Sequence, residues 1–286
     1  MMRKDFAMLI LSHGRAGRIN TINTLKRVGY TGKYYIIIDS EDEQKQDYIN
    51  EYGNEKIIIF DKDEIAEKID RGDNFRRKDI VLYARNKIWD IAEDLNLQYL
   101  MMLDDDYTGF AYRFDEKFEY NHKPVEDLDF IIEKMIKFYE KSNATTISFA
   151  QGGDFVFAKD TSLANAPKIK RKAMNTFLCS VDKQFRFMGS INEDVNAYVR
   201  EQQLGKLIFM INFISINQKQ TQSNEGGLTD IYLDKGTYIK SFYTILYSPS
   251  CVKLGLMGSK YRRIHHYIRW RNAVPKIISE KYKKGG

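Results

Sequence analysis

Three consecutive aspartates follow a run of apolar residues in the segment LMMLDDDYTGF. Asp104, Asp105 and Asp106 come directly after the predicted strand Tyr99–Leu103. Three adjacent carboxylates repel one another unless a cation or a basic ligand neutralises them. Because side chains alternate along an extended chain, Asp104 and Asp106 are expected to point one way and Asp105 the other. Carboxylate oxygens suit Mg²⁺ or Mn²⁺, ions that also bind diphosphate oxygens. The alternative is a solvated turn in which the acids cap the backbone.

A second acidic segment, Met188–Val195, opens a predicted helix that runs to about Leu204. Ser190 and Glu193 have the S-x-x-E spacing of a capping box, and acids in a first turn complement the helix dipole. Capping alone therefore explains Glu193, and the sequence leaves open whether it or Asp194 has another role.

The elements that position these acids are predicted from apolar periodicity. Short apolar runs alternate with helical patterns in the first half of the chain, which is typical of βαβ units and a mostly parallel sheet. Strands are predicted at Phe6–Ser12, Tyr34–Asp39, Lys56–Phe60, Tyr99–Leu103 and Thr145–Ala150, with Phe155–Phe157 as a hairpin partner. Helices are predicted at Asn20–Val28, Glu43–Tyr52, Asp63–Asp70, Ile80–Leu95 and Val125–Lys141.

The parallel pattern fades in the second half. An antiparallel strand is predicted around Asn175–Val181 and a last apolar strand at Leu207–Ile216. The Gln- and Gly-rich stretch Asn217–Gly227 is predicted to be a loop, and Ile231–Lys240 a helix. We expect one domain over residues 1–250, in halves 1–110 and 111–250, and a C-terminal extension over 251–286.

The positive charge lies in that extension. The chain has a net charge of +6, and residues 251–286 hold ten Lys or Arg against one acid, Glu280, so they carry +9 and the rest carries −3. Aromatic residues such as Tyr267 and Trp270 are interleaved with these cations, as in segments that contact phosphates and stack on bases. The alternative is a solvated helical face whose aromatic side chains pack inward.

Composition indicates a globular protein in a reducing compartment. The hydrophobic fraction is 43% and the two cysteines, Cys179 and Cys251, match no metal-ligand spacing. No apolar run is long enough to span a bilayer, and the apolar stretch near the N-terminus is too short for a secretory signal. We therefore expect a cytoplasmic protein without a membrane span.

The order of these features resembles the GT-A glycosyltransferase fold, in which a D-x-D motif follows the fourth strand of a Rossmann-like half. The motifs that carry this resemblance are Ser12-His13-Gly14-Arg15 after the first strand, Asp39 after the second, Ala84-Arg85-Asn86 before the fourth, and Asp104-Asp105-Asp106. The resemblance implies an α/β fold with a Rossmann-like mixed sheet flanked by helices.

The resemblance also implies roles for individual residues. Those expected to bind the nucleotide-sugar are Ser12, His13, Gly14, Arg15, Arg18, Asp39, Arg85, Asp104 and Asp105; those expected to bind a metal ion are Asp104, Asp106 and one of His265 and His266. Arg15 and Arg18 have forked donors suited to a diphosphate, unless they only solvate the loop. Arg85 has the alternative of a surface ion pair with Asp90 or Glu93. Either Glu193 or Asp194 is expected to be the general base toward an acceptor hydroxyl.

Taken with the segments SHGRAGR, NEDV and HHYIRW, the chain resembles phage glycosyltransferases that modify 5-hydroxymethylpyrimidines in DNA. This resemblance implies a UDP-sugar donor, Mn²⁺ or Mg²⁺, DNA as the acceptor, and the host cytoplasm as the location. Two alternatives stay open on the sequence. One is a glycosyltransferase for a cell-surface polysaccharide, and the other is a non-catalytic nucleic-acid-binding protein whose aspartates form only a turn.

Overall fold

The computed structural model describes residues 2–74, 79–155, 169–218, 238–257, 262–274 and 280. The strands are β1 (Phe6–Leu11), β2 (Lys33–Asp39), β3 (Ile57–Phe60), β4 (Tyr99–Asp104), β5 (Tyr107–Phe114), β6 (Tyr120–Pro124), β7 (Thr146–Gln151), β8 (Ile169–Lys170), β9 (Phe177–Ser180), β10 (Ile208–Gln218), β11 (Val252–Met257) and β12 (Arg263–Ile268). The helices are α1 (Asn20–Arg27), α2 (Lys45–Tyr52), α3 (Asp63–Ala66), α4 (Leu82–Asp94), α5 (Leu128–Ser142), α6 (Glu193–Gln203), α7 (Ile239–Tyr247) and α8 (Trp270–Ala273).

One mixed sheet holds ten of the strands in the described part of the chain. Its order is β3-β2-β1-β4-β9-β7-β10-β5-β6, with β8 beside β10. The first four strands in this order are mutually parallel, and Leu11 at the end of β1 lies beside Ile37 of β2 and Asp104 of β4. Because parallel strands end at the same edge, the first loop, Asp39 and the aspartate run are brought together there. The predicted α/β fold with a mixed sheet flanked by helices is confirmed.

The second half of the sheet is largely antiparallel. Strand β9 runs antiparallel to both β4 and β7, as expected for the segment around Asn175–Val181, and β10 is parallel to β7 but antiparallel to β5. The β5–β6 hairpin was not predicted, because its strands lie close to acidic and turn-like sequence that hides their alternation. His122 lies exposed in β6.

Alternation along β1 divides the core into two layers. Met8 and Ile10 pack in a cluster with residues of α1 and α5, whereas Leu9 and Leu11 pack in a cluster with residues of α4 and α6. All six residues of β1 are buried. A strand covered on both faces is expected to be apolar throughout, and this is why β1 could be identified from the sequence.

Several predicted elements differ in their bounds. Helix α3 ends at Ala66 and not at Asp70. Helix α7 begins at Ile239, so Ile239 and Lys240, the last two residues of the predicted helix Ile231–Lys240, are helical. Asn217 and Gln218 belong to β10 and not to a loop. Phe155 ends a 3₁₀ turn. Residues 156–157, 219–227 and 231–237, on which the remaining parts of these predictions fall, lie outside the described residues.

The C-terminal part forms a small unit of α7, the β11–β12 hairpin and α8. The Trp270 ring of α8 stacks on Tyr198 of α6, with ring centroids 6.1 Å apart and an interplanar angle of 10°. The segment around His265 and His266 is the strand β12, packed near α7, and not the helical face given above as the alternative. The boundary at residue 250 stays a prediction. No helix in the described ranges is long and apolar enough to cross a membrane.

Candidate active site

The loop after β1 is held against Asp105. The Ser12 hydroxyl donates to Oδ2 of Asp105 at 2.7 Å, and Nη1 of Arg15 donates to Oδ1 at 2.6 Å. The hydroxyl of Tyr48, from α2, lies 2.9 Å from Ser12 Oγ and accepts from the Arg15 amide. Both oxygens of the buried Asp105 are thus engaged by the chain itself. This carboxylate positions the first loop.

A second polar cluster surrounds Asp39. Nδ1 of His13 lies 2.6 Å from Oδ2 of Asp39, and Nζ of the buried Lys62, just after β3, lies 2.9 Å from Oδ1. Burial alone would raise the pKa of Asp39, but the hydrogen bonds from His13 and Lys62 outweigh it and the pKa falls to about 2. The same hydrogen bond raises the pKa of His13. Asp39 is therefore a fixed anion.

Asp42 fixes the glycine of the first loop. Its Oδ2 accepts the Gly14 amide at 2.7 Å and lies 3.7 Å from Nδ1 of His13. Gly14 has φ +62°, which a residue with a Cβ adopts at a cost. Arg18 is farther from the acids, and its Nη2 donates to the Gly14 carbonyl at 3.0 Å on the exposed side of the loop. The loop thus presents a fixed backbone and two arginines at the strand edge.

Arg85 connects the two acidic segments. Its guanidinium is fully buried against the rings of Phe177 and Phe187. There Nη2 donates to Oδ1 of Asp104 at 3.1 Å and Nε donates to Oε1 of Glu193 at 2.9 Å. Burial lowers the pKa of Arg85, but the carboxylates of Asp104, Glu193 and Asp194 outweigh that effect and the net shift is upward. The surface ion pair with Asp90 or Glu93 considered above is not formed.

Asn86 has a structural part in the same segment. Its amide group donates to the carbonyl of Phe187 at 3.1 Å and accepts the amide of the same residue at 3.0 Å. This double hydrogen bond fastens α4 to the chain leading into α6. The residues Arg85 and Asn86 together hold the start of α6 against the end of β4.

The helix start at Glu193 differs from the predicted capping box. Asn192 is the N-cap residue, with φ +56° and no side-chain capping bond, and its Nδ2 donates to the carbonyl of Lys240 at 2.7 Å. Ser190 donates its hydroxyl to the carbonyl of Arg71. The box is absent because the Glu193 carboxylate is bound to Arg85 instead. Asn192 takes the left-handed conformation that asparagine tolerates better than most residues.

Asp194 is buried beside these groups. Its Oδ1 accepts the amide of Val195 at 2.7 Å. Burial and the neighbouring Glu193 raise the pKa of Asp194 to about 7, although Arg85 and Lys172 act in the opposite direction. A carboxylate with this pKa can accept a proton near neutral pH.

The electrostatic environment of Asp104 fits a divalent cation. Burial raises the pKa of this carboxyl, Arg85 lowers it, and Asp106 and Glu193 raise it further. Asp105, Asp106 and Glu193 all act on the Asp104 carboxyl against the guanidinium of Arg85, so a cation would relieve their repulsion. Among the described residues, no three His, Cys, Asp or Glu side chains have the spacing of a complete metal site. A cation bound here therefore needs ligands from a diphosphate or water, as is usual for Mg²⁺.

The structure does not bring His265 or His266 into a ligand group with Asp104 and Asp106. Both histidines lie in β12 with their rings 4.6 Å apart, and the Nδ1 atoms are buried with no hydrogen-bond partner in the described part of the chain. Burial lowers the pKa of both, and that of His266 falls to about 4. Their metal role stays a prediction.

Sequence reasoning missed Asp42, Tyr48, Lys62, Lys172 and Lys240. Asp39 is the last residue of β2, and Lys62 comes two residues after the end of β3. The common position at the strand ends was therefore a usable signal for Lys62, whereas Lys172 and Lys240 reach the surroundings of Asp194 only through the tertiary fold.

The parallel strands of the mixed sheet collect a buried acidic cluster at their carboxyl edge, which is where α/β proteins of this type bind their ligands. The chain belongs to the TET-associated glycosyltransferase family, whose model matches residues 6–227. It is therefore a glycosyltransferase, and the resemblance stated on the sequence is confirmed at this level. No curated protein matches the chain.

Solved structures give remote similarities. Glucosyl-3-phosphoglycerate synthase from Mycobacterium tuberculosis, in complex with Mn²⁺, UDP and phosphoglyceric acid, has 9% identity and a TM-score of 0.45, over 93% of this chain and 87% of that one. S. aureus TarS 1-349 has 10% identity and a TM-score of 0.43, over 84% of this chain and 65% of that one. No residue role is transferred from similarities this remote.

Proposed function

We propose that the chain transfers a sugar from a UDP-sugar to the hydroxyl of a 5-hydroxymethylpyrimidine in DNA, with Mn²⁺ or Mg²⁺ bound at Asp104 and Asp106. The observation that carries the proposal is the position of Arg85, which binds Asp104 on one side and Glu193 on the other. The expected donor-binding edge and an acidic helix start are thereby adjacent. The family description, which associates the enzyme with TET proteins, supports the DNA acceptor.

The donor half is formed by strand ends whose polar groups are fixed before any ligand binds. Asp39, held as an anion by His13 and Lys62, offers acceptor oxygens to the hydroxyls of a ribose or the N–H of a uracil. Arg15 and Arg18 lie on the loop that leads from β1, where forked donors suit a diphosphate. A divalent cation held by Asp104 and Asp106 would neutralise the charge that develops on the departing diphosphate.

The acceptor half supplies the base. Glu193 is engaged by Nε of Arg85, so it is the positioning residue, and we assign proton removal to Asp194. Asp194 takes the proton of the hydroxymethyl group, and that oxygen forms a bond to the anomeric carbon. The bond from this carbon to the diphosphate oxygen breaks, and UDP leaves with the bonding electrons. General bases of this kind contribute about 10²–10⁴-fold to the rate.

The test is UDP release on matched DNA duplexes in the presence of Mn²⁺. Release is expected with 5-hydroxymethylcytosine duplex, but not with unmodified duplex, and it should stop on chelation. Asp104→Asn and Asp106→Asn are expected to lose turnover while keeping the fold, because each removes charge from a repelling cluster. UDP and Mn²⁺ together should raise the melting temperature more than either alone.

Three outcomes would contradict the proposal or a part of it. Release on polysaccharide acceptors without release on hydroxymethylated DNA indicates a surface-polysaccharide transferase. Binding of DNA without UDP release on any acceptor indicates a non-catalytic module. Equal thermal shifts by UDP with and without Mn²⁺ would exclude the metal-bridged donor.

A further inference from the structure

The β11–β12 hairpin carries apolar side chains that the fold leaves in solvent. Val252, Leu254 and Leu256 share one face of β11, and Leu256 pairs with Ile264 across the ladder. Val252 is buried at the base of this face, whereas Leu254, Leu256 and Ile264 are 41%, 61% and 38% exposed. We call these three exposed residues the hairpin ridge. Apolar groups left exposed together mark a binding surface more often than isolated ones do.

Cations lie on the same hairpin as the ridge and at its two ends. The exposed ones are Lys253 and Arg263, on the face opposite the ridge, Arg262 just before β12, and Arg269 and Arg271 at the start of α8. Between Asp234 and Glu280 the sequence contains no Asp or Glu. The indole of Trp270, 42% exposed, lies among these arginines. The surface therefore combines an apolar ridge with guanidinium groups, which bind phosphates through forked donors.

The hairpin is connected through α7 to the start of α6, which carries Glu193 and Asp194. Asn192, which directly precedes Glu193, donates to the Lys240 carbonyl and to Oγ1 of Thr244 in α7. The Ser241 hydroxyl of the same helix donates to the carbonyl of Ile264. Helix α7 therefore contacts both the hairpin and the start of α6, where Asp194 lies.

We propose that the hairpin ridge enters the base stack of the DNA acceptor while the arginines at the two ends of the hairpin, Arg262 and Arg269, hold the flanking phosphates, so that the target nucleotide turns out of the duplex toward Asp194. This inference rests on the proposed DNA acceptor. Apolar side chains that wedge between base steps unstack them, and enzymes that modify a base commonly extrude it from the helix. A buried carboxylate such as Asp194 is out of reach of a base that stays stacked.

Charge favours DNA over a second copy of the chain. A two-fold contact places the same patch on itself, so the arginines of one copy would face those of the other. That repulsion is absent against a phosphate backbone. A lipid surface also attracts cations, and the experiment below separates the two partners.

The test uses Ile264→Ser and Leu256→Ser, with Ile59→Ser as the matched control. Ile59 is 45% exposed in β3, an edge strand of the large sheet, whereas the ridge lies in the separate β11–β12 sheet. Duplexes carry 2-aminopurine beside 5-hydroxymethylcytosine, so that unstacking raises the fluorescence. The wild type and the control are expected to give this increase, and the ridge variants are expected to lose it.

Turnover gives the second readout. The ridge variants should lose ~10–100-fold in kcat/KM on duplex acceptor, because the cost of unstacking is no longer offset. On single-stranded acceptor, in which the base is already accessible, they should equal the wild type. If the wild type is inactive on single-stranded and duplex hydroxymethylated DNA alike, the proposed function fails. If it is active and the ridge variants keep both duplex turnover and the fluorescence increase, only the proposed insertion of the hairpin ridge into the base stack (the wedge) fails.

Two further results overturn the wedge. Loss of binding to phosphatidylserine vesicles by the ridge variants, with unchanged turnover on duplex DNA, assigns the ridge to a membrane. Conversion of a dimer to a monomer in sedimentation, again with unchanged turnover, assigns it to a contact between copies.

Discussion

Asp39 provides a direct test of the electrostatics at the donor edge. Its carboxylate is buried between His13 and Lys62, and its pKa falls from the ordinary value of 3.8 to about 2. A depressed carboxyl pKa adds stability above the unfolded-state pKa and loses it as the pH falls toward the folded-state pKa. A shift of nearly two units corresponds to about 2.5 kcal/mol in the free energy of unfolding. About 1 kcal/mol of this should be lost between about pH 6 and about pH 3.

The perturbation is Asp39→Asn, which removes the titrating group and leaves the buried ammonium of Lys62 without its carboxylate. The variant should be less stable than the wild type at neutral pH, and the difference in unfolding free energy should shrink on acidification. Urea unfolding followed by tryptophan fluorescence measures it, since urea does not screen charges as guanidinium chloride does. Asp90→Asn is the control, because Asp90 pairs with Lys87 at an exposed position where an ion pair contributes little.

The outcome that refutes this reasoning is a constant difference between wild type and Asp39→Asn over the whole pH range. That result would mean that the protein does not hold Asp39 as a stabilised anion. The same variant should bind UDP more weakly than the control if the carboxylate contacts the nucleoside.

The other predictions concern Arg85, the acidic pair and one glycine. Arg85→Met should lower the free energy of unfolding in urea by ~3–5 kcal/mol, because it leaves buried carboxylates unpaired. A loss below about 1 kcal/mol would contradict the contact of Arg85 with Asp104 and Glu193. Arg85→Lys provides the test if the methionine variant does not fold. Asp194→Asn should lower kcat by ~10²–10⁴-fold with little change in stability, whereas Glu193→Gln should destabilise the fold by ~1–3 kcal/mol. If instead Glu193→Gln lowers kcat and Asp194→Asn destabilises the fold, Glu193 is the base and Asp194 the positioning residue. Gly29→Ala should lower the melting temperature clearly, because Gly29 has φ +73° and an added Cβ would lie 2.5 Å from the backbone oxygen of Glu126. A melting temperature equal to that of the parent would refute this backbone clash.

Local sequence determined the elements on which the site is built. The apolar run of β1 and the helical period of α4 depend on neighbouring residues, so their spacing alone predicted a parallel sheet. The position of Asp104 at the end of a buried strand predicted an acidic strand edge. The localised charge of the C-terminal segment is a property of composition and required no fold.

The tertiary structure decided which groups meet. Arg85 and Glu193 are 108 residues apart, and their contact depends on how α4 and α6 pack against the end of β4. The capping box predicted from Ser190 and Glu193 is replaced by this long-range pair, because a buried guanidinium must be paired. Asp105 is bound to the first loop because β1 and β4 are neighbours in the sheet. Periodicity encodes which face of an element is apolar, but strand order and helix packing, set by the whole chain, determine which polar side chains share a cleft.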